Sequence, residues 1–307
     1  MIRIIIFTFI ILVFHGSVFS EEIRLLPGET LPELRDIKVR ANVFYESVTN
    51  IYTYNYIVTN SKTSTGAIEH MEVDITKPEG GISLSEEGLR YGKGYLKFGS
   101  ERLFEKFGSL VIRVGTSAPS DWITGITVRK TISWGAAKEA SFIYPNSSKE
   151  GFELNSRGLP GIRQFTTSPY FKQQPVEEAT KEDIDRVRAI EKAIIFYGKT
   201  LGPTAPPADF KPIPYFDYII SLKHEAYNLG WIKNAGIENS LDAKLDNAKK
   251  KIEQGNIEAA KNILNALINE VEAQGCVTYE DCSSGKHISP EAYALLKYNV
   301  QYLISNL

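Results

Sequence analysis

The sequence predicts an α+β chain of two parts, an antiparallel β-sandwich followed by a small helical bundle. Three observations lead to this fold class. From about 37 to 144, apolar residues alternate with polar ones at a period of two, as in half-buried strands. From about 216 to 307, the apolar period becomes that of amphipathic helices. A proline-rich stretch that follows neither period lies between them, so we expect two domains and a connector.

The first 20 residues have the pattern of a secretory signal peptide. Arg3 gives a positively charged start, and the apolar run at 4–14, about 11 residues long, is too short to span a bilayer. Small residues up to Ser20 fit a cleavage site, so we expect the mature chain to begin at Glu21. An uncleaved N-terminal anchor is the alternative. We expect a secreted or periplasmic protein with no membrane span in the mature chain.

The formal net charge is −2, and no cluster of basic residues stands out along the chain. The consecutive lysines at 249–251 are flanked by acids and lie partly on the solvated face of a predicted helix. Nucleic acids and anionic membranes are bound by concentrated positive charge. The sequence therefore gives no support for either partner.

Short alternating runs between turn-forming residues predict the strands of the N-terminal part. Such punctuation is typical of an antiparallel sandwich, and we expect an immunoglobulin- or fibronectin-like one. Tyr45, Tyr52 and Val58 would then help to pack its core. The runs lie at 39–45, 52–58, 71–75, 110–114, 123–132 and 140–144.

Residues 173–214 are predicted to form a connector that contains one helix. Thr180 and Asp183 have the spacing of a capping box at its start, and Gly198 is expected to end the helix. The prolines within 201–207 favour a stiff, extended bridge between the domains. The expected order is a signal peptide at 1–20, a β-sandwich at 21–172, this connector and a helical module at 215–307.

Two amphipathic helices joined by a short turn predict a helical hairpin within the module. They cover 237–252 and 257–271, and each carries one apolar stripe. Gly255 is expected to end the first helix in the left-handed conformation, and Asn256 to cap the second. Ser289, followed by a proline, indicates the start of a later helix.

The hairpin also carries an ordered series of small and apolar residues. The series is Leu241, Lys244, Leu245, Ala248, Gly255, Asn256, Ala260, Leu264, Ala266, Ile268, Asn269, Val271 and Ala273. It resembles the FIMAH-type helical module of many exported bacterial proteins. The resemblance implies an accessory domain and export, and it implies no particular chemistry. Tetratricopeptide-like repeats are the alternative, but no second copy recurs at a fixed period.

The chain departs from that module by an insertion between the second and third helices. It contains Cys276 and Cys282, the only cysteines of the sequence. In an exported chain, two cysteines this close are expected to form a disulfide. A redox or metal-binding pair is the alternative. The spacing is not that of a thioredoxin-type pair, and His287 is the one histidine nearby.

The sequence offers few candidates for catalysis. His70, His224 and His287 are each interpreted as ordinary surface or core histidines. Glu69 and His70 are neighbours in a strand pattern, so we expect their side chains on opposite faces. Metalloprotease, serine-hydrolase, phosphate-loop and calcium-loop motifs are absent from the sequence. We therefore expect no cofactor and no metal.

A pair of carboxylates for glycoside cleavage needs only the right separation in space, which the sequence leaves open. Asp74, Glu86 and Glu87 are the candidates.

Aromatic residues are the main candidates for binding. On an exposed face, their rings would stack on sugars or contact another protein. Packing in the core is the alternative interpretation. The candidates are Tyr52, Tyr54, Tyr56, Trp122 and Trp134.

These features favour an exported, non-enzymatic protein that acts in extracellular binding, adhesion or assembly. Its partner would be an extracellular protein or glycan. The alternative is an extracellular hydrolase that cleaves glycan or peptide through a carboxylate pair. A third hypothesis treats the sandwich as a spacer, which predicts polar surfaces without a deep pocket.

Overall fold

A computed structural model describes residues 25–75, 114–126, 131–172 and 180–307. The predicted signal peptide at 1–20, the start of the mature chain at Glu21, and Glu86 and Glu87 lie outside these residues. Within them, no helix is both long and apolar enough to cross a membrane.

The described residues form nine strands and five longer helices. The strands are β1 (Lys38–Glu46), β2 (Ile51–Asn60), β3 (Ile68–Asp74), β4 (Val114–Ser117), β5 (Trp122–Ile126), β6 (Thr131–Ala136), β7 (Ser147–Ser156), β8 (Leu159–Pro169) and β9 (Phe196–Thr204). The helices are α1 (Lys181–Ile194), α2 (Pro212–Asn228), α3 (Ala235–Glu253), α4 (Ile257–Gln274) and α5 (Pro290–Asn306).

The strands form two antiparallel sheets. Sheet A has the order β1-β2-β7-β4, and sheet B has the order β5-β6-β3-β8-β9. Tyr56 and Trp134 come from different sheets, yet their ring centroids lie 5.6 Å apart, with an angle of 63° between the ring planes. The ring centroid of Phe152, from sheet A, lies 6.0 Å from that of the same indole. The prediction of an antiparallel β-sandwich followed by a helical bundle is confirmed.

Helix α5 closes one side of the sandwich. It packs against β1, the edge strand of sheet A, and against β8 and β9 at the edge of sheet B. The buried apolar residues of sheets and helices form one continuous cluster. The helical module and the sandwich therefore share a core in this structure.

Strand β9 lies where we expected a proline-rich bridge. Phe196–Thr204 pairs with β8 from Thr167 to Leu159, so the segment belongs to sheet B. Pro203 is tolerated because β9 is an edge strand, where a missing N–H breaks no ladder bond. Gly198 lies within this strand and does not end α1, which already ends at Ile194. A Cβ at position 198 would lie 2.3 Å from the ring of Phe165, so the packing there requires glycine. The domain boundaries at 172 and 214 stay a prediction.

The strand runs are also less simple than the sequence pattern. The run at 123–132 contributes to two strands, β5 and β6, which pair with each other. Strands β7 and β8 lie beyond residue 144, where the alternating pattern was expected to end. Strand β7 begins with exposed polar residues, so the apolar alternation appears only in its second half.

The predicted N-terminal caps of three helices and the predicted left-handed end of α3 are confirmed. Thr180 and Asp183 form the capping box of α1. Asn256 caps α4, and Ser289 caps α5, each by accepting a backbone N–H bond with its side chain. Gly255 has a φ of 75°, the left-handed conformation that ends α3.

Candidate functional site

The predicted aromatic binding residues lie in the core. Tyr54, Tyr56 and Trp134 are fully buried, and Tyr52 and Trp122 are nearly so. The hydroxyl of Tyr54 donates to the Gly158 carbonyl, and that of Tyr56 donates to the Leu201 carbonyl, both at 2.9 Å. The indole N–H groups of Trp122 and Trp134 also donate to backbone carbonyls. Burial therefore favours core packing, and it leaves these rings no exposed face for a ligand.

A groove of about 1090 Å³, lined by both polar and apolar residues, lies on the outer face of sheet B, beside α1. Its floor comes from strands β3 and β8, and one wall comes from α1. The floor residues are His70, Glu72, Asp74, Gln164, Thr166 and Ser168. The wall residues that carry charge are Arg188, Glu191 and Lys192.

The strand period explains why the floor is polar. Met71 and Val73 point into the core and are fully buried. Residues of β3 at the intervening positions therefore point outward. The same alternation turns Thr166 and Ser168 of β8 outward, because Phe165 and Thr167 are buried.

A β-bulge adds a further carboxyl group to this floor. Strand β3 has one extra residue, Glu69, between the pairs Ile68–Pro169 and His70–Ser168. A bulge changes the direction of side chains at that point. For this reason Glu69 and His70 both line the groove, although we expected them on opposite faces.

A buried ion pair holds α1 beside the groove. Nη1 of Arg186 lies 2.6 Å from Oε2 of Glu29, and both side chains are almost entirely buried. Glu29 also accepts the backbone N–H of Leu26. The segment before β1 thus fixes the wall of the groove against the sheet.

Charges on the floor influence one another. Thr131 donates a 2.8 Å hydrogen bond to Glu72, whose other oxygen lies 3.8 Å from Nε2 of His70. Burial lowers the pKa of His70, and the negative charge of Glu72 opposes this shift. Burial, and then the charge of Glu191, raise the pKa of Glu69.

Several floor groups have hydrogen-bonding capacity to spare. The side chains of Gln164, Thr166 and Ser168 make no hydrogen bond within the described part of the chain. Tyr197 of β9 stands at the rim, 53% exposed. The groove can therefore offer hydroxyl, amide and carboxylate groups to a polar ligand.

Sequence reasoning could have found part of this site. His70, Glu72 and Asp74 share one parity of a strand, so their common face follows from the alternation alone. The bulge at Glu69 and the position of α1 left no such signal. Of the predicted carboxylate candidates, Asp74 lies on the floor.

His224, Glu238 and Asp242 form a second cluster, whose ligand atoms lie within 4.8 Å of one another. The buried ammonium group of Lys223 contacts Glu238 and lies 2.7 Å from Asp242. Burial acts against ionisation of Asp242, but Lys223 prevails and lowers its pKa. Lys223 already supplies the cation that these acids need, so we assign the cluster a structural role.

A third polar cluster joins the helical module to the sandwich, and we call it the joint. Its centre is Glu291 in the first turn of α5, only 1% exposed. The carboxylate accepts the backbone N–H of Ala41 at 3.0 Å, and the hydroxyls of Tyr279 and Ser289 also donate to it. Ala41 belongs to the edge strand β1, so Glu291 occupies a donor that the sheet leaves open.

The disulfide loop contributes to the joint. Cys276 and Cys282 form the predicted disulfide. Within the loop, the backbone N–H of Tyr279 donates to Asn42 at 3.3 Å. The guanidinium of Arg40 lies 4.7 Å from the centre of the Tyr279 ring. The insertion thus holds a tyrosine against the outer edge of sheet A.

Comparisons with known proteins include a family model and a solved structure. A search of curated proteins finds no match. One solved structure is described as "Crystal structure of an uncharacterized protein from Nocardia farcinica reveals an immunoglobulin-like fold". It is 9% identical, covers 47% of this chain and 89% of its own, and has a TM-score of 0.25. For the helical part, residues 219–305 match the family model of the FIMAH domain, which confirms the resemblance expected from the sequence.

Proposed function

We propose that this chain is an exported, non-enzymatic protein that binds an extracellular glycan or protein through the groove on sheet B. In this proposal it takes part in adhesion or assembly, and it needs no cofactor. The observation that carries the proposal is that three outward polar side chains of the groove, Gln164, Thr166 and Ser168, make no hydrogen bond among the described residues.

Export is supported by three independent features. The first 20 residues have the pattern of a signal peptide. The disulfide between Cys276 and Cys282 persists in oxidising compartments. The match to the FIMAH domain at 219–305 agrees with a module that the sequence resemblance associates with exported bacterial proteins.

A binding role is supported by how the groove is built. Buried polar groups of a stable fold are normally satisfied. Thr166 and Ser168 lie half-buried on the floor and make no hydrogen bond in the described residues. A concave site with a few such convergent groups is the usual form of a binding site.

The test compares two variants that place the same bulky side chain on opposite sheets. Thr166→Trp fills the centre of the groove, and Thr59→Trp alters the outer face of sheet A as a matched control. Each purified chain is passed over immobilised cell-envelope material after its fold is checked by circular dichroism. We expect Thr166→Trp to lose at least tenfold in retention and Thr59→Trp to retain the wild-type value. Equal retention of both variants would contradict the proposal.

One observation favours a second candidate function, an extracellular hydrolase. Glu69, whose pKa is raised, lies in the groove with Glu191 and Glu72. A carboxyl group with a raised pKa beside a second carboxyl group is the arrangement used in glycoside cleavage. The measurement is the release of reducing ends from polysaccharides by the wild type and by Glu69→Gln. Release that falls at least 100-fold in the variant would favour this candidate, and no release by the wild type would remove it.

A further inference from the structure

We propose that the groove binds a chain of neutral or amino sugars and rejects acidic glycans. This inference rests on the proposed binding function and gives its ligand a chemical class. Four features of the groove carry it: the lattice of polar side chains, their hydrogen-bonding capacity, the charge of the floor and an exposed tyrosine at the rim.

Strand register arranges the floor as a lattice. His70 stands opposite Ser168, and Glu72 stands opposite Thr166. Tyr197 of β9 stands opposite Thr166 on the other side. Outward side chains are spaced about 4.8 Å across strands and about 7 Å along them. Side chains at this spacing present one polar group, or one pair of polar groups, to each ring of an extended sugar chain.

The hydrogen-bonding groups of the lattice match sugar hydroxyls. Thr166 and Ser168 can each donate and accept, and the amide of Gln164 can do both. A sugar hydroxyl also does both, so either orientation finds a partner. These three side chains are without hydrogen bonds in the part of the chain that the structure describes.

A peptide ligand fits this site less well. An extended peptide usually binds by adding a strand at a sheet edge, where backbone groups are open. The groove lies on the face of sheet B, where β3 is paired on both sides, with β6 and with β8. Its floor therefore offers side-chain groups and no free backbone ladder.

The charge of the groove selects among glycans. Among the described residues, four carboxyl groups line it, from Glu69, Glu72, Asp74 and Glu191, together with the bases Arg188 and Lys192. Nη1 of Arg188 lies 3.8 Å from Oδ1 of Asp185 on the same helix, so Asp185 already balances part of the positive charge of Arg188. An acidic glycan would bring further negative charge onto this floor and be repelled. An ammonium group on a sugar would be attracted.

Tyr197 supplies an apolar surface for the ring of a sugar. It is 53% exposed and stands at the β9 end of the row formed with Glu72 and Thr166. The faces of pyranose rings carry C–H groups, which pack against aromatic rings, while the equatorial hydroxyls bond to polar neighbours. Together the lattice and the ring can hold both aspects of a sugar.

The test measures binding of the intact oxidised chain to soluble oligosaccharides by isothermal titration calorimetry. The probes are cello-hexaose, the chitin hexamer, the chitosan hexamer and a hyaluronan hexamer. We expect at least one of the first three to bind at least tenfold more tightly than hyaluronan. Tyr197→Ala should weaken that binding at least tenfold, while Tyr227→Ala, which alters an exposed tyrosine on α2, should not.

A charge variant sharpens the test of selectivity. Glu72→Gln keeps the shape of the floor and removes one negative charge, so the preference over hyaluronan should shrink at least threefold. The proposal is overturned if hyaluronan binds as tightly as the other probes, or if no probe binds. If the sugar selectivity fails but Thr166→Trp still loses at least tenfold in retention on cell-envelope material, the proposed binding function stands. If Thr166→Trp also keeps the wild-type retention, the binding function is overturned as well.

Discussion

The groove and the joint are both polar clusters between a strand and a helix, but they differ in how their polar groups are satisfied. In the joint, the carboxylate of Glu291 accepts bonds from Ala41, Tyr279 and Ser289. On the groove floor, Thr166 and Ser168 make none in the described part of the chain. A satisfied buried network gives stability and a fixed geometry. Unsatisfied groups at a concave surface give the capacity to bind.

This difference separates mutations that should unfold the chain from mutations that should only change binding. Joint residues hold the module against the sandwich, so their loss should cost free energy of unfolding. On the groove floor, Thr166 and Ser168 bond to no other group in the described part of the chain, so their loss should cost little.

The largest effect is expected for Glu291→Ala. The change leaves the buried N–H of Ala41 and the buried hydroxyl of Ser289 without their acceptor, and it removes the partner of the half-buried Tyr279 hydroxyl. Each unsatisfied buried group costs about 1–3 kcal/mol, so we expect a loss of about 3 kcal/mol or more. Urea denaturation followed by circular dichroism measures it. Glu280→Ala, an exposed acid in the same disulfide loop, is the matched control and should change stability by less than about 0.5 kcal/mol.

Comparable losses from both variants would mean that Glu291 acts only as a surface charge. The joint would then not be the element that fixes the module on the sandwich.

Reduction of the disulfide should have the next largest effect. The bond between Cys276 and Cys282 closes a short loop. In the chain-entropy model, closing a loop of this length adds about 2 kcal/mol to the free energy of unfolding. The loop also positions Tyr279, so reduction should loosen its bonds to Glu291 and Asn42. Urea denaturation with and without dithiothreitol measures the loss.

A double-mutant cycle separates the two contributions. Tyr279→Phe alone should cost about 1.5 kcal/mol, because it removes a hydrogen bond to a charged group. If the loop acts by positioning Tyr279, the cost of Tyr279→Phe should fall after reduction. A cost that is unchanged would show that the disulfide and the tyrosine act independently.

Much of the joint could not be predicted from sequence. The caps at Thr180, Asn256 and Ser289 are local patterns, and all three are confirmed. Glu291 also has a local meaning, an acid in the first turn of a helix. Its contact with Ala41 spans 250 positions of the chain, and no local pattern records it.

The groove shows the same limit in another form. Alternation along β3 identifies one face for His70, Glu72 and Asp74, but it does not reveal which strands lie beside them. The aromatic stripe at 52–56 has the same alternation, and its rings are buried in the core. Periodicity tells that a strand has two faces, and only the packing of sheets and helices decides which face is exposed.

The two regions should also respond to pH in opposite directions. Burial raises the pKa of Glu291, and hydrogen bonds from Tyr279, Ala41 and Ser289 offset part of the shift. The folded state therefore binds this proton more tightly than the unfolded state. The contribution of Glu291 to the free energy of unfolding is greatest below about pH 4.3, and it is lost as the pH rises through the pKa of Glu291 in the folded state.

For His70 the sign is reversed, because burial lowers its pKa. Its contribution is present above about pH 6.5 and is lost as the pH falls towards its folded pKa. The measurement is the free energy of unfolding from pH 4 to pH 8. As the pH rises, titration of Glu291 should lower the free energy of unfolding, and Glu291→Gln should remove this decline. Titration of His70 should raise the free energy of unfolding, and His70→Gln should remove this rise. Parallel curves for the wild type and a variant would contradict the shift assigned to that residue.

The smallest effect on stability is expected on the groove floor, where a pair of serine variants isolates the comparison. Ser168→Ala removes a hydroxyl that has no hydrogen-bond partner in the described residues, so the free energy of unfolding should change by less than about 0.5 kcal/mol. Ser289→Ala removes the cap of α5 and a donor to Glu291, so it should cost about 1–2 kcal/mol. Binding should show the opposite order, with Ser168→Ala weakening the glycan complex and Ser289→Ala leaving it unchanged. If Ser168→Ala instead destabilised the chain as much as Ser289→Ala, the floor hydroxyls would belong to the structure, and the groove would lose the spare hydrogen-bonding capacity that makes it a binding site.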